Sequence, residues 1–522
     1  MQAVNVVAAP ERFNASLLLD RNIDRGRAGK AAVHAVDRSL TYGELLAQAS
    51  RAGNLLRALG VAREERVLLV LDDTTAFPIL FLGAMRIGAV PVPVSPLDKD
   101  ENFRHYVEDS YADVVVTDAS CMPRLREALA SMPVRYVVRG EEDDDVFELD
   151  GALDAQDDEL DAAPTHRDDM AFWLYSSGST GKPKGVVHLH HDIQVTCETY
   201  AGQVLGMRED DVAFSTTKLF HAYGLGNALT FPLWFGATSV LMGGPSKPAP
   251  ILETLRRHRP TLFFSVPALY GALARDPSAD DAFASVRRCV SAAEALPPQT
   301  FDDFKDRFGL DILDGIGSTE MLHIFCSNRP GGIMRGTTGV AVPGYELRIV
   351  GDDGRVLEGP AVGGLEVRGD SCAAFYWHQH EKTKRCMQGD WFATGDRFER
   401  RDDGAYVYVG RMDDMLKVGG LWVSPIDMEH VLMQHPRVGA VGVVGVTLDG
   451  ASRVAAFIEC DGEPGDDQLA DELRQWCKER MRRYEYPHVV TFVDELPRTL
   501  NGKVQRFRLR ELAAANAESV TR

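Results

Sequence analysis

The stretch YSSGSTGKPKG, from Tyr175 to Gly185, decides how the rest of the chain is interpreted. It combines three glycines, three serines, a threonine and two lysines. The run that leads into it, MAFWLYS, has the apolar and aromatic character of a buried strand, so the stretch is a turn that leaves a strand. Backbone N–H groups and hydroxyls in such a turn bind phosphate oxygens, and a lysine adds positive charge. The sequence therefore predicts a phosphate-binding turn.

This turn differs from the phosphate loop of the Walker type. A Walker loop has four residues between its glycines and a serine or threonine after its lysine. Here only two residues separate Gly178 from Gly181, and Lys182 is followed by Pro183, which has no hydroxyl for a metal ion. A different phosphate chemistry is therefore expected. The candidate phosphate-binding residues are Ser176, Ser177, Gly178, Ser179, Thr180 and Lys184.

The bulk composition restricts the class of function. The chain has 522 residues, of which 45% are hydrophobic, and its net charge of −20 argues against a duplex nucleic-acid partner, which needs a basic surface. The N-terminus lacks the pattern of a secretory signal, and the longest apolar stretch is interrupted by Arg86 and by several prolines and glycines, which makes it a poor membrane span. The eight cysteines are scattered without metal-type spacing. We expect a cytoplasmic protein with no nucleic-acid or membrane partner.

Strand-like and helical patterns alternate through the first part of the chain. ERVLLVLDD and ADVVVTD are typical of buried parallel strands, and LTYGELLAQASRAGNLLRALG is typical of an amphipathic helix that ends at Gly60. The alternation predicts an α/β fold whose large N-terminal domain contains layered parallel sheets covered by helices. The acidic stretch from Glu141 to Pro164 is interpreted as a solvated connection between sub-lobes.

The sequence pattern changes after Gly369. WFATGDRFERRDDGAYVYVGR predicts antiparallel strands joined at Asp403-Gly404, within a small β-barrel-like lobe. From residue 413 onward the pattern predicts a separate small α+β domain. We therefore divide the chain into an N-terminal domain, residues 1–412, and a mobile C-terminal domain, residues 413–522.

Five further motifs follow the glycine–serine turn in one order along the chain. They are LFHAYGLGNALTFP (Leu219 to Pro232), SAAEALP (Ser291 to Pro297), DGIGSTE (Asp314 to Glu320), TGD (Thr394 to Asp396) and LPRTLNGKVQR (Leu496 to Arg506). Together the motifs resemble the signatures of the adenylate-forming superfamily, which includes acyl- and aryl-CoA ligases, firefly luciferase and the adenylation domains of peptide synthetases. The resemblance extends over nearly the whole chain. It implies that a carboxylic acid is first joined to AMP and then passed to a thiol.

The resemblance also implies which residues bind the nucleotide. The residues on the adenine side would be Ala293, Glu294, Asp314, Gly315, Ile316 and Ser318. Thr319 would lie near the α-phosphate, and Glu320 would hold Mg²⁺ together with Thr180, because carboxylate and hydroxyl oxygens are ligands that this ion accepts. Asp396 would bind the ribose hydroxyls, with Arg411 as its partner.

The same resemblance implies where the acid and coenzyme A bind. The acid pocket would be lined by His221, Ala222, Tyr223, Gly224, Gly317 and His323. Asp413 would be the hinge of the C-terminal domain, and beyond it Lys417 and the pair Gly419-Gly420 would meet CoA. Lys503, beside the turn at Asn501-Gly502, would reach the carboxylate and the α-phosphate during adenylation. The C-terminal domain would take a different pose for each half-reaction.

The motifs resemble most strongly those of benzoate–CoA ligases. This implies ATP-, CoA- and Mg²⁺-dependent conversion of benzoate, or a close aromatic acid, into benzoyl-CoA, AMP and pyrophosphate. Three alternatives stay open: a stand-alone aryl adenylation enzyme that loads a carrier protein, a CoA ligase for a substituted benzoate, and an inactive nucleotide-binding regulator. A homodimer is compatible with the sequence, which does not set the oligomeric state. The run HLHH, His188 to His191, lacks the spacing and the acid of the helical zinc motif and is interpreted as structural.

Overall fold

The computed structural model describes residues 8–141, 143, 145–176, 182–412, 416–418, 421–448, 451–482, 485–498 and 504–520. The described residues form two compact units. The first unit is Met1–Leu347 with Val367–Phe392, and the second unit is Arg348–Glu366 with Ala393–Arg522. None of the helices in the described ranges is both long enough and apolar enough to cross a bilayer.

The secondary structure up to the glycine–serine turn alternates between helices and strands. Its elements are α1 (Leu18–Asp24), β1 (Ala31–His34), β2 (Ser39–Thr41), α2 (Tyr42–Ala58), β3 (Arg66–Val70), α3 (Ala76–Arg86), β4 (Val90–Val94), α4 (Asp100–Ser110), β5 (Val114–Asp118), α5 (Met122–Ala128), β6 (Arg135–Arg139), β7 (Val146–Glu148), α6 (Leu149–Asp154) and β8 (Met170–Ser176). A short 3₁₀ turn, Ala15–Leu17, precedes α1.

The alternation continues after the turn. The elements are β9 (Lys184–Leu189), α7 (His190–Thr196), β10 (Val212–Ser215), α8 (Ala222–Leu225), α9 (Phe231–Phe235), β11 (Thr238–Val240), α10 (Pro248–His258), β12 (Leu262–Ser265), α11 (Pro267–Arg275), β13 (Arg288–Ser291), α12 (Pro298–Phe308), β14 (Ile312–Gly317), β15 (Ile324–Ser327) and β16 (Val340–Ala341). Two π-helical segments, Cys197–Leu205 and Gly226–Thr230, continue α7 and α8.

The last part of the chain contains more strands than helices. Its elements are β17 (Glu346–Val350), β18 (Val356–Leu357), β19 (Ala361–Arg368), β20 (Phe375–Tyr376), α13 (His380–Cys386), β21 (Met387–Gln388), β22 (Trp391–Arg400), β23 (Tyr406–Arg411), β24 (Leu416–Val418), β25 (Leu421–Val423), α14 (Pro425–Leu432), β26 (Val438–Leu448), β27 (Ala451–Cys460), α15 (Asp467–Arg480), β28 (Val489–Phe492) and α16 (Arg506–Val520).

The first unit is built on layered, mainly parallel sheets, which confirms the predicted fold class. A nine-stranded sheet has the order β16-β15-β14-β13-β12-β10-β11-β1-β2, and the strands from β14 to β1 in this order are parallel to their neighbours. A five-stranded sheet, β4-β3-β5-β6-β7, is parallel throughout. A three-stranded antiparallel sheet, β20-β9-β8, contains the strands on either side of the glycine–serine turn.

Local sequence explains the elements that were predicted well. In β3 and β5 the valines and leucines are buried on both faces, which is typical of parallel strands covered by helices. Helix α2 begins at a capping box, in which Thr41 and Glu44 each accept a hydrogen bond from the backbone N–H of the other. The helix ends just before Gly60, whose φ of +80° suits the left-handed conformation that follows a helix.

The interpretation of the acidic stretch was wrong in part. Residues Val146–Glu148 form β7, the edge strand of the five-stranded sheet, and α6 follows directly. Leu149 and Leu153 of α6 are buried, while Asp150 between them and Asp154 after them are exposed. The few apolar residues of this stretch make the packing contacts. The aspartates and glutamates around them obscure the apolar periodicity from which a strand or helix is predicted.

The second unit contains the predicted antiparallel hairpin and a small α+β fold. Strands β22 and β23 pair antiparallel, and Gly404 in their turn has a φ of +82°. They belong to a sheet of order β18-β17-β19-β22-β21, in which β23 pairs with β22. Further on, β26, β27 and β28 form a sheet that packs against α14 and α15 through buried residues such as Met428 and Leu473. The domain boundary at residue 413 stays a prediction.

Candidate active site

A buried ion pair stands at the C-terminal side of the glycine–serine turn. Lys184 is the first residue of β9, and its Nζ lies 2.8 Å from Oε1 of Glu320 in the turn after β14. The hydroxyl of Tyr376 donates to the same carboxylate oxygen, also at 2.8 Å. Lys184 and Glu320 are only 8% and 9% exposed. The structure thus brings together two residues that the sequence assigned separately to phosphate and to Mg²⁺.

The surroundings of Glu320 keep it ionised. Burial by itself raises the pKa of this carboxyl, but the charge of Lys184 and hydrogen bonds from Lys184 and Tyr376 outweigh burial, so the pKa is below its ordinary value. Burial, and then the negative charge of Glu320, raise the pKa of Tyr376, so its hydroxyl remains protonated and donates. The result is a buried carboxylate that carries its charge at neutral pH.

The residues near Glu320 suit a Mg²⁺ ion that arrives with a nucleotide. Among the described residues, no three His, Cys, Asp or Glu side chains form a group that could hold a metal ion by themselves. Mg²⁺ is usually bound through one or two carboxylates together with substrate phosphates and water. One ionised carboxylate paired with Lys184, which follows the predicted phosphate turn, fits that pattern and does not fit a resident metal site.

His188 supports the backbone beside Glu320, a role that the sequence analysis did not assign. Its Nε2 donates to the carbonyl oxygen of Thr319 at 2.8 Å, and its Nδ1 lies 2.7 Å from Oδ2 of Asp192. Both His188 and Asp192 are fully buried. This arrangement supports the structural interpretation of the HLHH run, because both nitrogens of His188 are engaged by oxygen atoms of the protein.

The predicted acid pocket contains an aromatic group around His323. The ring of His323 lies 5.5 Å from that of Tyr223, 5.1 Å from that of Tyr200 and 4.5 Å from that of Phe231, measured between centroids. Its Nε2 lies 3.1 Å from Oδ1 of Asn227, a residue that the sequence analysis quoted but did not select. Burial lowers the pKa of His323 to about 3, so the ring is neutral at physiological pH. An uncharged aromatic wall suits a flat apolar ring.

Close backbone packing explains two of the glycines in the predicted pocket. A Cβ atom on Gly317 would lie 2.4 Å from the carbonyl oxygen of His323, and one on Gly224 would lie 2.1 Å from the carbonyl oxygen of Lys218. Gly226 was missed: a Cβ there would lie 2.4 Å from the ring of His323. Tight packing of this kind is invisible in a single sequence.

The other predicted acid-pocket residues lie around the start of α8. His221 precedes this helix, and its ring packs against that of Phe220 with centroids 4.6 Å apart. Ala222 is buried at the first position of α8. The hydroxyl of Tyr223 donates to the carbonyl oxygen of Val290 at 3.1 Å, which ties α8 to β13.

The two predicted adenine segments lie side by side in the nine-stranded sheet. They lie at the ends of the adjacent parallel strands β13 and β14, where Ser291 and Asp314 are register partners. Ala293 is exposed and has a φ of +77°, a conformation that is strained for a residue with a side chain. Burial raises the pKa of Asp314 well above its ordinary value, and its Oδ1 has no hydrogen-bond partner among the described residues. Backbone strain close to an unpartnered polar atom is typical of a ligand site.

The remaining adenine-side predictions lie on the same two segments. Glu294 is partly buried after Ala293. Gly315 and Ile316 lie within β14, and a Cβ on Gly315 would be 3.0 Å from the carbonyl oxygen of Cys326. Ser318 follows β14, and its hydroxyl accepts from the backbone N–H of Met321 at 3.2 Å.

The predicted ribose pair is formed within the second unit. Asp396 and Arg411 are register partners on β22 and β23, and Nη1 of Arg411 donates to Oδ1 of Asp396 at 3.0 Å. Asp396 is 9% exposed. Gly395 between Thr394 and Asp396 has a φ of +75°, which a glycine adopts without strain. The pairing of the two side chains follows the expectation, while ribose binding stays a prediction.

Several predicted site residues have no described structure. The phosphate-turn residues Ser177, Gly178, Ser179 and Thr180, the hinge residue Asp413, the pair Gly419 and Gly420, and Lys503 lie outside the described residues. Ser176 is described at the end of β8, where it is the register partner of Lys184. Lys417 is described by its backbone in β24, where it is the register partner of Trp422. The roles of these residues stay predictions.

Comparison with known proteins identifies the family. The model of the AMP-binding enzyme family matches residues 19–377, and the model of the AMP-binding enzyme C-terminal domain matches residues 427–503. The benzoate–CoA ligase of Thauera aromatica is 44% identical over 512 residues, which cover 97% of each chain.

Solved structures agree with this result. A benzoate CoA ligase from Burkholderia xenovorans matches with a TM-score of 0.90 and 42% identity, covering 95% of this chain and 100% of that one. An anthranilate CoA ligase in complex with anthranoyl-AMP matches with a TM-score of 0.94 and 37% identity, covering 99% of this chain and 100% of that one. The resemblance drawn from the motifs is confirmed. The chain belongs to the family of AMP-binding enzymes and carries the C-terminal domain of that family.

Proposed function

We propose that the protein is an AMP-forming benzoate–CoA ligase, which turns benzoate, ATP and CoA into benzoyl-CoA, AMP and pyrophosphate. The observation that carries the proposal is the 44% identity to the benzoate–CoA ligase of Thauera aromatica over 97% of both chains. The neutral aromatic surroundings of His323 and the ionised Glu320 beside Lys184 support it.

In the first half-reaction, a carboxylate oxygen of benzoate attacks the α-phosphorus of ATP. The bond from the α-phosphorus to the oxygen that bridges it to the β-phosphorus breaks, pyrophosphate leaves, and benzoyl-AMP remains. Two anions must approach to about 3.5 Å, so positive charge has to offset their repulsion. We assign this task to Lys184 and Lys503. Mg²⁺ held at Glu320 would stabilise charge on the phosphates when it is bound.

In the second half-reaction, the sulfur of CoA attacks the carbonyl carbon of benzoyl-AMP. The bond from that carbon to the AMP oxygen breaks, AMP leaves, and the thiol proton is released. The family resemblance assigns Lys417, Gly419 and Gly420 to the binding of CoA. It also assigns Asp413 as the hinge of the C-terminal domain, which would adopt a different pose for this step. The match of residues 427–503 to the family's C-terminal domain supports the presence of that domain.

We place the nucleotide on the residues that the sequence selected. The exposed residue Ala293 and the unpartnered oxygen of Asp314 suit the adenine ring, which has a flat face and hydrogen-bonding edges. Thr319 is assigned to the α-phosphate, and Asp396 with Arg411 to the ribose. The phosphate turn, Ser176 to Thr180, is assigned to the triphosphate. Cytoplasmic location and a homodimer are kept as predictions, the former because scattered cysteines suit a reducing compartment.

A ligase for a substituted benzoate is the second candidate. It is favoured by the structural match at a TM-score of 0.94 to an anthranilate CoA ligase, whose acid is an amino-substituted benzoate. Selection between two acids that differ by one small group rests on only about 1–3 kcal/mol when the pocket is apolar. The two candidates therefore share one mechanism and differ in a few pocket contacts.

A panel of acids separates the candidates. AMP formation is measured with benzoate, 2-aminobenzoate, 3- and 4-hydroxybenzoate and hexanoate, each with and without CoA. We expect benzoate to have the highest kcat/KM and multiple turnover to require CoA. A preference for a substituted acid would select the second candidate, and turnover that CoA does not increase would favour loading of a carrier protein. The absence of AMP with every acid would refute both candidates.

A further inference from the structure

Lys382 on α13 supplies positive charge beside the Lys184–Glu320 pair, and it forms no ion pair with any described residue. Its Nζ lies 5.8 Å from the ring centroid of Tyr376, and Nζ of Lys184 lies 3.8 Å from the same centroid. Lys184 is paired with Glu320 at 2.8 Å, whereas Lys382 has no ion-pair partner within the described part of the chain. Glu320 thus forms its ion pair with Lys184, and its more distant charge offsets that of Lys382 only in part.

The position of Lys382 is not explained by packing alone. The side chain is partly buried, while Lys384 on the same helix is exposed. A cation–π contact is significant only within about 6 Å of the ring centroid, so at 5.8 Å the attraction to Tyr376 is weak. Burial, and next the charge of Lys184, lower the pKa of Lys382, so the ammonium pays a free-energy cost for staying there. A bound anion would remove that cost.

The neighbouring residues indicate which anion this is. Lys184 is the register partner of Ser176, the residue that begins the predicted phosphate turn. On the proposed function, on which this inference rests, the anion that the first unit binds beside this turn is the triphosphate of ATP. Its β- and γ-phosphates carry most of the charge and leave as pyrophosphate, and a lysine binds phosphate as a compact point charge.

We propose that Lys382 binds the β- and γ-phosphates of ATP and therefore the pyrophosphate product. The residue then contributes to ATP binding and to the reverse reaction. In that reaction an oxygen of pyrophosphate attacks the phosphorus of benzoyl-AMP, the bond from phosphorus to the carboxylate oxygen breaks, and ATP and benzoate are formed. The residue makes no contribution to the binding of AMP or to the transfer of the benzoyl group from AMP to CoA, because neither involves these two phosphates. Lys382 therefore acts in the adenylation half-reaction and not in the transfer to CoA.

The test compares Lys382→Ala with Lys384→Ala, which removes an exposed lysine from the same helix. Isothermal titration calorimetry measures the binding of pyrophosphate and of AMP in the presence of Mg²⁺. A hydrogen bond between charged groups corresponds to about 10- to 100-fold in affinity, so Lys382→Ala should weaken pyrophosphate binding by at least about 10-fold. AMP should bind to all three proteins within about twofold, and Lys382→Arg should recover most of the lost affinity.

A second readout is the half-reaction of supplied benzoyl-AMP with CoA, which Lys382→Ala should leave unchanged. The inference is overturned if Lys382→Ala binds pyrophosphate as tightly as the wild type does. It is also overturned if AMP binding or benzoyl transfer falls by the same factor, because the residue would then act on the structure of the site. Failure of the proposed function would show differently, as a wild-type protein that binds pyrophosphate but forms no AMP with any aromatic acid.

Discussion

Replacing Lys184 by methionine tests whether the buried ion pair is arranged as described. The substitution Lys184→Met removes the ammonium group but keeps an unbranched stem in β9. Glu320 then remains 9% exposed with the hydroxyl of Tyr376 as its remaining side-chain donor among the described residues. Removal of one member of a buried ion pair costs about 3–5 kcal/mol. Because Tyr376 still donates, we expect the lower end of this range at pH 8.

The loss should depend on pH in a defined direction. In the wild type the folded-state pKa of Glu320 is lowered, so its contribution is present above the ordinary carboxyl pKa and is lost only in more acidic solution. In Lys184→Met burial is less opposed, and the folded-state pKa of Glu320 is raised. The folded variant then binds a proton that the unfolded chain releases, so its stability falls as pH rises above about 4. Each pH unit corresponds to about 1.4 kcal/mol, so most of the loss seen at pH 8 should disappear by pH 5.

The assay is urea unfolding at pH 5 and pH 8, followed by tryptophan fluorescence, to which the fully buried Trp173 of the first unit contributes. Lys382→Met is the matched control, because it removes a lysine that lies near the same ring, that of Tyr376, without breaking an ion pair of the described residues. Adding Glu320→Gln to Lys184→Met should restore most of the stability at pH 8. A loss that is equal at the two pH values, or equally large in Lys382→Met, would refute the reasoning.

Three further predictions concern the first unit and Lys503, the lysine proposed for adenylation. Burial raises the pKa of Asp73 to about 7, although Lys218 and the backbone N–H of Leu219 oppose the increase. The stability of the wild type in thermal unfolding should therefore fall as the pH rises from about 4 to about 7. Asp73→Asn should lack this part of the loss. Gly317→Ala places a Cβ 2.4 Å from the carbonyl oxygen of His323 and should raise the KM for benzoate at least about 10-fold in steady-state assays. Gly332→Ala, whose Cβ would have no atom within 4 Å, should leave the KM unchanged. Equal KM values in the two variants would disprove the packing argument. Lys503→Ala should abolish AMP formation from ATP and benzoate but preserve thioester formation from supplied benzoyl-AMP, and parallel loss of both steps would remove the assigned role.

The sequence predicts those parts of the fold whose signal is local. Strands β3 and β5 are runs of valine and leucine because both of their faces are covered, and α2 carries its capping residues and the glycine at its end. Strand β7 carries no such signal, because acidic side chains surround its few apolar residues. The prediction therefore succeeded where composition and periodicity agreed and failed where charge concealed a short edge strand.

The candidate site was predicted only as separate motifs. Lys184 and Glu320 are 136 residues apart in the sequence, and each was selected from a different motif. Nothing in either motif predicts the hydrogen bond between them. Tyr376 lies in no motif, so its contact with Glu320 could not be found. The bond from His188 to Thr319 joins residues 131 apart, and the position of Asn227 beside His323 depends on a π-helical segment that the sequence does not indicate.

The central claim is that benzoate attacks ATP directly and that the resulting acyl-adenylate is the species CoA receives. It is tested most directly by supplying benzoate labelled with ¹⁸O in its carboxylate, together with ATP and CoA, and measuring the mass of the AMP released. The proposed path keeps one carboxylate oxygen on the phosphorus, so each AMP should carry one ¹⁸O atom. Unlabelled AMP accompanied by benzoyl-CoA would show that no benzoyl-AMP forms and would contradict the account.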